Sequence, residues 1–317
     1  MKLSTAIQEH LRFQESRGDS ASHRNDCERV LTKLQEQLGD LDLSEITAED
    51  LREFQTAVRK RPGNRGKAQV SDLTVLAYHR ALSAFFHRLE EHEILVTNPM
   101  RRVPRPKVGQ YLIKPFTEEQ LKKLLEQPDV STFTGLRDVA LMCFLLDTGC
   151  RIAECLSLTL EELDLERRTA QVLGKGKKER LVPFGARTLA WMERYLEKRR
   201  QDDASPYVFV NQYGEQLLPN SMSHRIAQYG RQGGLRGVRV SPHTFRHTFS
   251  VNWLLGNGHY KGDTLSLQTI LGHSTPAMTQ RYVHFAGQDL RKLHDRLSPA
   301  DQIVAAPPPM ERRRRLR

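Results

Sequence analysis

The sequence predicts a mainly α-helical protein of two domains with one small β-sheet, and three observations lead there. The chain has 317 residues, enough for about two domains at roughly 100–200 residues each. Apolar residues recur at helical spacing along most of it, while strand-like runs are confined to 168–173, 180–183 and a short stretch at 207–210. Between the two helical blocks lies Asn98-Pro99-Met100-Arg101-Arg102-Val103-Pro104-Arg105-Pro106-Lys107. Its prolines oppose helix and sheet, and its charges are all positive. This places an all-α domain at 1–100, a basic linker at 101–115, a second domain at 116–297 and a Pro- and Arg-rich tail at 298–317.

In the first domain, Ile7, Leu11 and Phe13 mark a helix over 4–17 capped by Ser4, and Val30, Leu31, Leu34 and Leu38 a second over 21–38. Thr47-Ala48-Glu49-Asp50 has the form of a capping box, opening a helix with Leu51, Phe54 and Val58 on one face. A fourth helix over 71–92 carries Leu73, Leu76, Leu82, Phe85, Phe86 and Leu89. The second domain opens on another capping box, Thr117-Glu118-Glu119-Gln120, followed by a strongly apolar and therefore buried helix at 134–148. Two strands flank a Gly-Lys turn at 174–179. Helices follow near 186–200, 220–231, 242–257, 264–271, 276–284 and 288–296, with a short strand at Tyr207–Val210.

Composition narrows the function. At 38% hydrophobic and 27% charged, with mean hydropathy −0.57, the chain reads as neither membrane-spanning nor wholly disordered. The first twenty residues read as an amphipathic helix and not a signal peptide. Four cysteines without a C-x-x-C pair point to a reducing cytoplasm. The net charge of +11 is uneven. Residues 1–100 carry 14 basic and 16 acidic side chains, 101–115 five and none, 116–297 twenty-five and twenty, and 298–317 five and two. Within the acidic first domain, Arg59, Lys60, Arg61, Arg65 and Lys67 form a run with no acid between them. A patchy basic surface suggests a polyanion, most often nucleic acid; the plainer alternative is a solvated surface with basic loops.

Four segments join chemically capable side chains to structural punctuation. In Asp147-Thr148-Gly149-Cys150-Arg151-Ile152-Ala153-Glu154, an apolar helix stops at Gly149 and Arg151 opens the next. An Arg fork at a helix start suits phosphate oxygens, although Arg151 and Glu154 also read as an ordinary i,i+3 pair. Gly174-Lys175-Gly176-Lys177-Lys178-Glu179-Arg180 reads as a hairpin presenting cations, or as an edge kept soluble by charge. In Ser241-Pro242-His243-Thr244-Phe245-Arg246-His247, Ser at N-cap and Pro at N1 begin a helix that puts His243 and Arg246 on one face. Leu271-Gly272-His273 ends a helix, and Tyr282 falls about two turns into the next. Singly, such a Tyr reads as core and such a His as a cap. His243, His247 and His273 have no Cys or carboxylate joining them at ligand spacing, so no metal site is expected.

The ordered set is more specific than any member. R-x-x-E, then GKG-x-K-x-R-x-V-P, then H-x-x-R, then LGH, then Tyr nine residues on resembles the tyrosine recombinase (phage integrase) family, in particular its Xer-like and integrase-like members. The resemblance covers nearly the whole chain. It implies a SAM-like core-binding domain before an α+β catalytic domain, the two forming a C-shaped clamp on DNA. It implies that Tyr282 is the nucleophile, that Arg151 and Arg246 clamp the scissile phosphate, and that His243 and His273 bond that phosphate and assist proton transfer. Lys175 becomes the acid for the leaving 5′ oxygen, and Glu154 orients Arg151 or His243. The reaction is cleavage and rejoining through a 3′-phosphotyrosine, without metal, ATP or other cofactor, serving integration and excision of a mobile element or resolution of DNA dimers.

The implied partners are double-stranded DNA with specific recombination sites, three further copies of the chain in a homo-tetramer that passes through a Holliday junction, and, in some systems, an accessory DNA-bending or directionality protein. No membrane is involved, and the expected location is cytoplasmic and nucleoid-associated. Arg59, Lys60, Arg61, Arg65, Lys67, Arg80, Arg101, Arg102, Arg105, Lys107 and Lys177 are the candidate DNA contacts. The helix carrying His79, Arg80, Ser83 and His87 is the candidate for the major groove. Cys150 stands where the family is usually aliphatic and reads as a tolerated small core residue, with redox sensitivity beside Arg151 as the alternative. Two other readings use the same features: a type IB-like topoisomerase and a catalytically idle DNA-binding regulator.

Overall fold

The computed structural model describes residues 1–63, 68–109, 114–174, 178–199, 205–256, 262–273 and 275–286. The chain divides into two compact units, Met1–Tyr111 and Leu112–Arg317.

The first unit holds α1 (Leu3–Ser16), α2 (Ala21–Leu38), α3 (Ala48–Lys60) and α4 (Asp72–Glu91). Their apolar stripes meet around the buried Leu31, Leu34, Leu51, Phe54, Leu82, Phe85 and Phe86. The Thr47 capping box is reciprocal: the Asp50 N–H donates to Thr47 Oγ1 at 3.3 Å, and the Thr47 N–H donates to Asp50 Oδ2 at 2.8 Å. Ser4 is not the cap of α1. It lies inside the helix, where its N–H and hydroxyl donate to Asp40 at 2.8 and 2.9 Å, so a carboxylate from a distant part of the chain serves the helix start. Leu73, expected in the stripe of α4, is exposed. His79 is buried with Nδ1 3.3 Å from Gln55 Oε1 of α3, so it faces inward and does not share the exposed side of α4 with Arg80 and His87. The stretch expected to be linker begins as a short 3-10 turn, Pro99–Arg102, and Met100 and Val103 join the first unit's core.

The second unit runs α5 (Glu118–Leu125), α6 (Phe133–Thr148), α7 (Ile152–Leu156), β1 (Leu163–Asp164), β2 (Thr169–Leu173), β3 (Glu179–Pro183), α8 (Ala186–Lys198), α9 (Pro219–Gln232), α10 (Pro242–Leu255), α11 (Thr264–Leu271) and α12 (Pro276–Ala286). The sheet is antiparallel in the order β1-β2-β3, with Ala170 opposite Val182. The two-residue β1 has too little pattern to be read from sequence, and residues 207–210 form isolated bridges at Tyr207 and Val210 in place of a strand. α6 packs on α8 and α10, and Phe144, Tyr195, Phe209 and Phe245 fill the core around it. Ser241 does not cap α10 with its side chain; its hydroxyl pairs with Thr244 Oγ1 at 3.1 Å. A second, smaller cluster of Val251, Leu254, Leu267, Leu271 and Tyr282 binds α10, α11 and α12 together and sets the position of Tyr282. Among the described residues no helix is long and apolar enough to cross a membrane. The expected helix 288–296 and the tail lie outside the described residues.

Candidate active site

The site is assembled from four helix ends: the ends of α6 and α11 and the starts of α7 and α10. α6 stops at Gly149, and Arg151 is the N-cap of α7. Glu154, one turn into α7 and only 5% exposed, draws several donors together. Its Oε2 accepts the Arg151 N–H at 2.9 Å and Arg180 Nη2 at 2.7 Å, and its Oε1 accepts Arg151 Nη1 at 2.7 Å. Burial alone pushes this carboxyl up, but the bonds from Arg180 and the Arg151 backbone outweigh it and hold Glu154 below the usual carboxylate range.

α10 supplies the next group. Arg246 is 5% exposed, and its fork reaches two main-chain oxygens: Nη1 donates to Gly149 O at 2.7 Å and Nη2 to Leu271 O at 2.9 Å. One side chain thereby fastens the end of α6 to the end of α11. Burial first, and then the nearby Arg151, bring the guanidinium down to about 10, so it stays charged at neutral pH. His243, in the first turn of α10, is exposed. Desolvation and then Arg246, Arg239 and Arg151 lower its basicity. His247, one turn further on, places Nδ1 2.9 Å from the hydroxyl of Tyr282.

Past Gly272, His273 is buried, with Nδ1 2.7 Å from Thr279 Oγ1 of α12. Burial and the cations Arg246, Arg151 and Arg180 push this imidazole down to about 4. Its ring lies nearly parallel to that of Tyr282, at 6.2 Å between centroids and 6° between planes. Tyr282 itself is 5% exposed. The described cluster thus gathers three guanidiniums, three imidazoles and one carboxylate around a phenol. Arg246, His243 and His273 are each lowered in part by neighbouring cations, so positive charge is held together here against repulsion, which is the electrostatic form of an anion site. Planar Arg forks fit the oxygens of a phosphate. No group of three or more His, Cys, Asp or Glu among the described residues is arranged to hold a metal ion.

The model of the phage integrase family matches residues 114–288, more than half of the chain. This chain belongs to the phage integrase family of tyrosine recombinases. It is 32% identical over 283 residues to the tyrosine recombinase XerD of Vibrio cholerae, which covers 88% of this chain and 89% of that protein. It is 35% identical over 226 residues to the tyrosine recombinase XerC of Myxococcus xanthus, 69% of this chain and 74% of that one. The same fold is found in the solved Tn1549 transposon integrase in complex with transposon right end DNA, at a TM-score of 0.74 and 21% identity over 94% of this chain and 100% of that one.

Of the site residues expected from the recombinase motifs, Arg151, Glu154, His243, Arg246, His273 and Tyr282 come together. Lys175 and Lys177 lie outside the described residues, between Gly174 and Lys178, whose Gly174 N–H to Lys178 O bond of 2.8 Å closes the hairpin. Arg65 and Lys67 also lie outside. In the first unit, Lys60, Arg80, Arg102, Arg105 and Lys107 are exposed and Arg61 is half-buried. Arg59 pairs with Asp72 at 2.8 Å and Arg101 with Glu90 at 3.0 Å. Sequence reasoning missed two members of the cluster. His247 enters the sequence reading only as a metal ligand, although its i+4 spacing from His243 sets both on one face of α10. Arg180 enters it only as one letter of the GKG-x-K-x-R motif. Cys150 is buried in the core, and burial pushes its thiol above the usual value, which disfavours the thiolate that redox sensitivity needs.

Proposed function

We propose that this recombinase cuts and rejoins DNA through a covalent 3′-phosphotyrosine on Tyr282, exchanging strands between specific sites. One observation carries the reading: a buried phenol, bonded to an imidazole, stands within a group of guanidiniums that exceed their carboxylate partner in number. In this reading the forks of Arg151 and Arg246 take the non-bridging oxygens of the scissile phosphate and neutralise the charge that grows on them. His243 and His273, neutral at pH 7, donate N–H bonds to the same group. Tyr282 Oη attacks phosphorus while its proton passes to His247 Nδ1. The P–O5′ bond breaks, and the leaving oxygen takes its proton from Lys175 on the β2–β3 hairpin. The phosphoryl group remains on the tyrosine until a 5′ hydroxyl attacks it and the steps reverse. One ester is exchanged for another, so no nucleotide is hydrolysed and no metal or other cofactor is required.

The substrate is double-stranded DNA carrying recombination sites, bound by four copies of the chain that pass through a Holliday junction. The named DNA complex of the transposon integrase supports the partner, and relatedness to XerD and XerC supports resolution of DNA dimers over integration of a mobile element. The exposed cations of the first unit serve as phosphate contacts. The Arg59–Asp72 pair is solvent-exposed and weakly held, and Arg101 is exposed although its partner Glu90 is half-buried, so phosphate oxygens can compete for both guanidiniums. The cell's nucleoid is the expected location, and an accessory DNA-bending or directionality protein is compatible with the scheme.

The test is covalent capture on a pool of nicked duplexes of randomised sequence in EDTA, comparing wild type with Tyr282→Phe. The nick lets the cut fragment diffuse away, so an adduct accumulates. A metal-independent adduct with wild type alone is expected. Absence of any adduct on duplexes that the protein retains would overturn the reading in favour of a DNA-binding regulator.

A further inference from the structure

Arg180, on β3, makes contacts that the scheme above leaves unused. Its Nε donates to Ile270 O at 2.7 Å, two residues before Gly272 and three before His273. Its Nη2 donates to Glu154 Oε2 at 2.7 Å, the same oxygen that accepts the Arg151 N–H, and lies 3.9 Å from Cys150 Sγ. The side chain is 11% exposed. It begins two residues beyond Lys178, on the strand that leaves the Lys175 turn.

Two glycines make room for it. A methyl at Gly272 would stand 3.2 Å from both Arg180 Cδ and Nη1, on a backbone at φ 62° that already disfavours any other residue. A methyl at Gly174 would stand 3.3 Å from Arg180 Nη1 and 3.2 Å from Lys178 O. Gly174 immediately precedes Lys175, and Gly272 immediately precedes His273. The same guanidinium therefore lies against the base of the segment bearing the proposed acid, against the turn bearing a phosphate-binding imidazole, and against the carboxylate that holds a phosphate-binding arginine.

We propose that Arg180 is a positioning residue for strand cleavage, setting the Lys175 hairpin in register with His273 and with the Glu154–Arg151 pair. This rests on the recombinase reading. Arg180 need not touch DNA. It fixes where the acid stands relative to the phosphate, and a displacement of about an ångström is enough to cost a large rate factor. Lysine at this position keeps the charge but offers one nitrogen in place of the two that reach Ile270 O and Glu154 separately.

The experiment compares wild type, Arg180→Lys, Arg180→Gln and Gly174→Ala, each as the full chain. The last variant shifts the guanidinium without removing it. Hydrogen exchange in the free protein reads the register directly. Arg180→Gln is expected to speed exchange in both 171–183 and 268–273, and unchanged exchange in either segment overturns the proposal. Cleavage is then followed in single turnover at saturating protein, on a nicked duplex recovered by wild-type capture and on its counterpart with sulfur at the 5′ bridging position. Breaking P–S releases a thiolate that needs no proton, so the acid's position ceases to matter. The Arg180 variants are expected to lose about 30- to 100-fold on the oxygen duplex, with at least about tenfold of that loss recovered on sulfur. Gly174→Ala should show the same pattern at smaller size. Oxygen cleavage within about threefold of wild type, or equal losses on oxygen and sulfur, would refute a role in placing the acid. An absence of wild-type adduct on either duplex overturns the recombinase reading and this proposal with it, and is distinguishable because wild type is the failing sample.

Discussion

Two groups of buried charge in the second unit are built on opposite plans. Around Asp138, fully buried, each cation meets its partner. Arg137 donates Nε and Nη2 to Asp138 Oδ1 at 2.8 and 2.7 Å and Nη1 to Val210 O at 3.0 Å. Arg225 pairs with Asp138 Oδ2, and the Tyr229 hydroxyl donates to that oxygen at 2.7 Å. Although desolvation works against it, Arg225 is held above the ordinary arginine value by Tyr229 and Asp138. Around Tyr282 the sign reverses. Arg246 bonds only main-chain carbonyls among the partners described, its pKa falls, and His243 and His273 fall with it. Both guanidiniums around Asp138 bond a carboxylate, whereas Arg246 bonds main-chain carbonyls among the partners described, and its charge is left for an anion to meet under the proposed function.

The largest effect should come from breaking the matched group. Asp138→Asn strands Arg137, which is 3% exposed, and should cost about 3–5 kcal/mol of unfolding free energy in urea. Arg246→Lys should do the reverse, lowering cleavage about 10²- to 10³-fold while destabilising less than Asp138→Asn. If Arg246→Lys unfolds as readily as Asp138→Asn, the contrast between the two groups is lost.

The third prediction sharpens the contrast through pH. His273 in the second unit and His10 in the first both lie at about 4, against 6.5 for a free imidazole. Burial is the main cause in each. His10 packs edge-on to Phe85 with neither ring nitrogen hydrogen-bonded and is lowered further by Arg88, Arg17 and His23, whereas His273 is lowered by Arg246, Arg151 and Arg180 of the candidate site. Between about pH 4 and 6.5 the unfolded chain holds the extra protons, so stability falls as pH drops through that window and levels off below it, by roughly 3 kcal/mol at most for each histidine. His273→Gln and His10→Gln should each remove one share of the loss. Added phosphate should raise the titration of His273 and leave that of His10 in place, as read by proton NMR. Equal responses would mean that the His273 cluster has no special affinity for anions.

Much of this was legible in the chain, for local reasons. Capping boxes at Thr47 and Thr117, glycines ending α6 and α11 and the apolar run of α6 are signals carried by neighbours, and the mainly helical fold with a small sheet followed from them. Ser4 misled because the group that serves α1 is Asp40, far away in sequence. β1 was too short to carry a period. In the site, the residues that cluster stood out as an ordered set, but their bonds did not. A main-chain carbonyl such as Gly149 O or Leu271 O has no sequence signature, and neither does the meeting of His247 with Tyr282 across two helices.

The anchoring of Arg246 bears on how freely this sequence can drift. Its two acceptors are peptide oxygens, present whatever side chains occupy those positions, so no single neighbouring substitution deletes an acceptor. A clamp hung on carboxylates could be lost by one codon change. A side chain hung on the peptide chain is exposed only to changes that move helix ends, and the surrounding surface can be rewritten while the guanidinium stays in place.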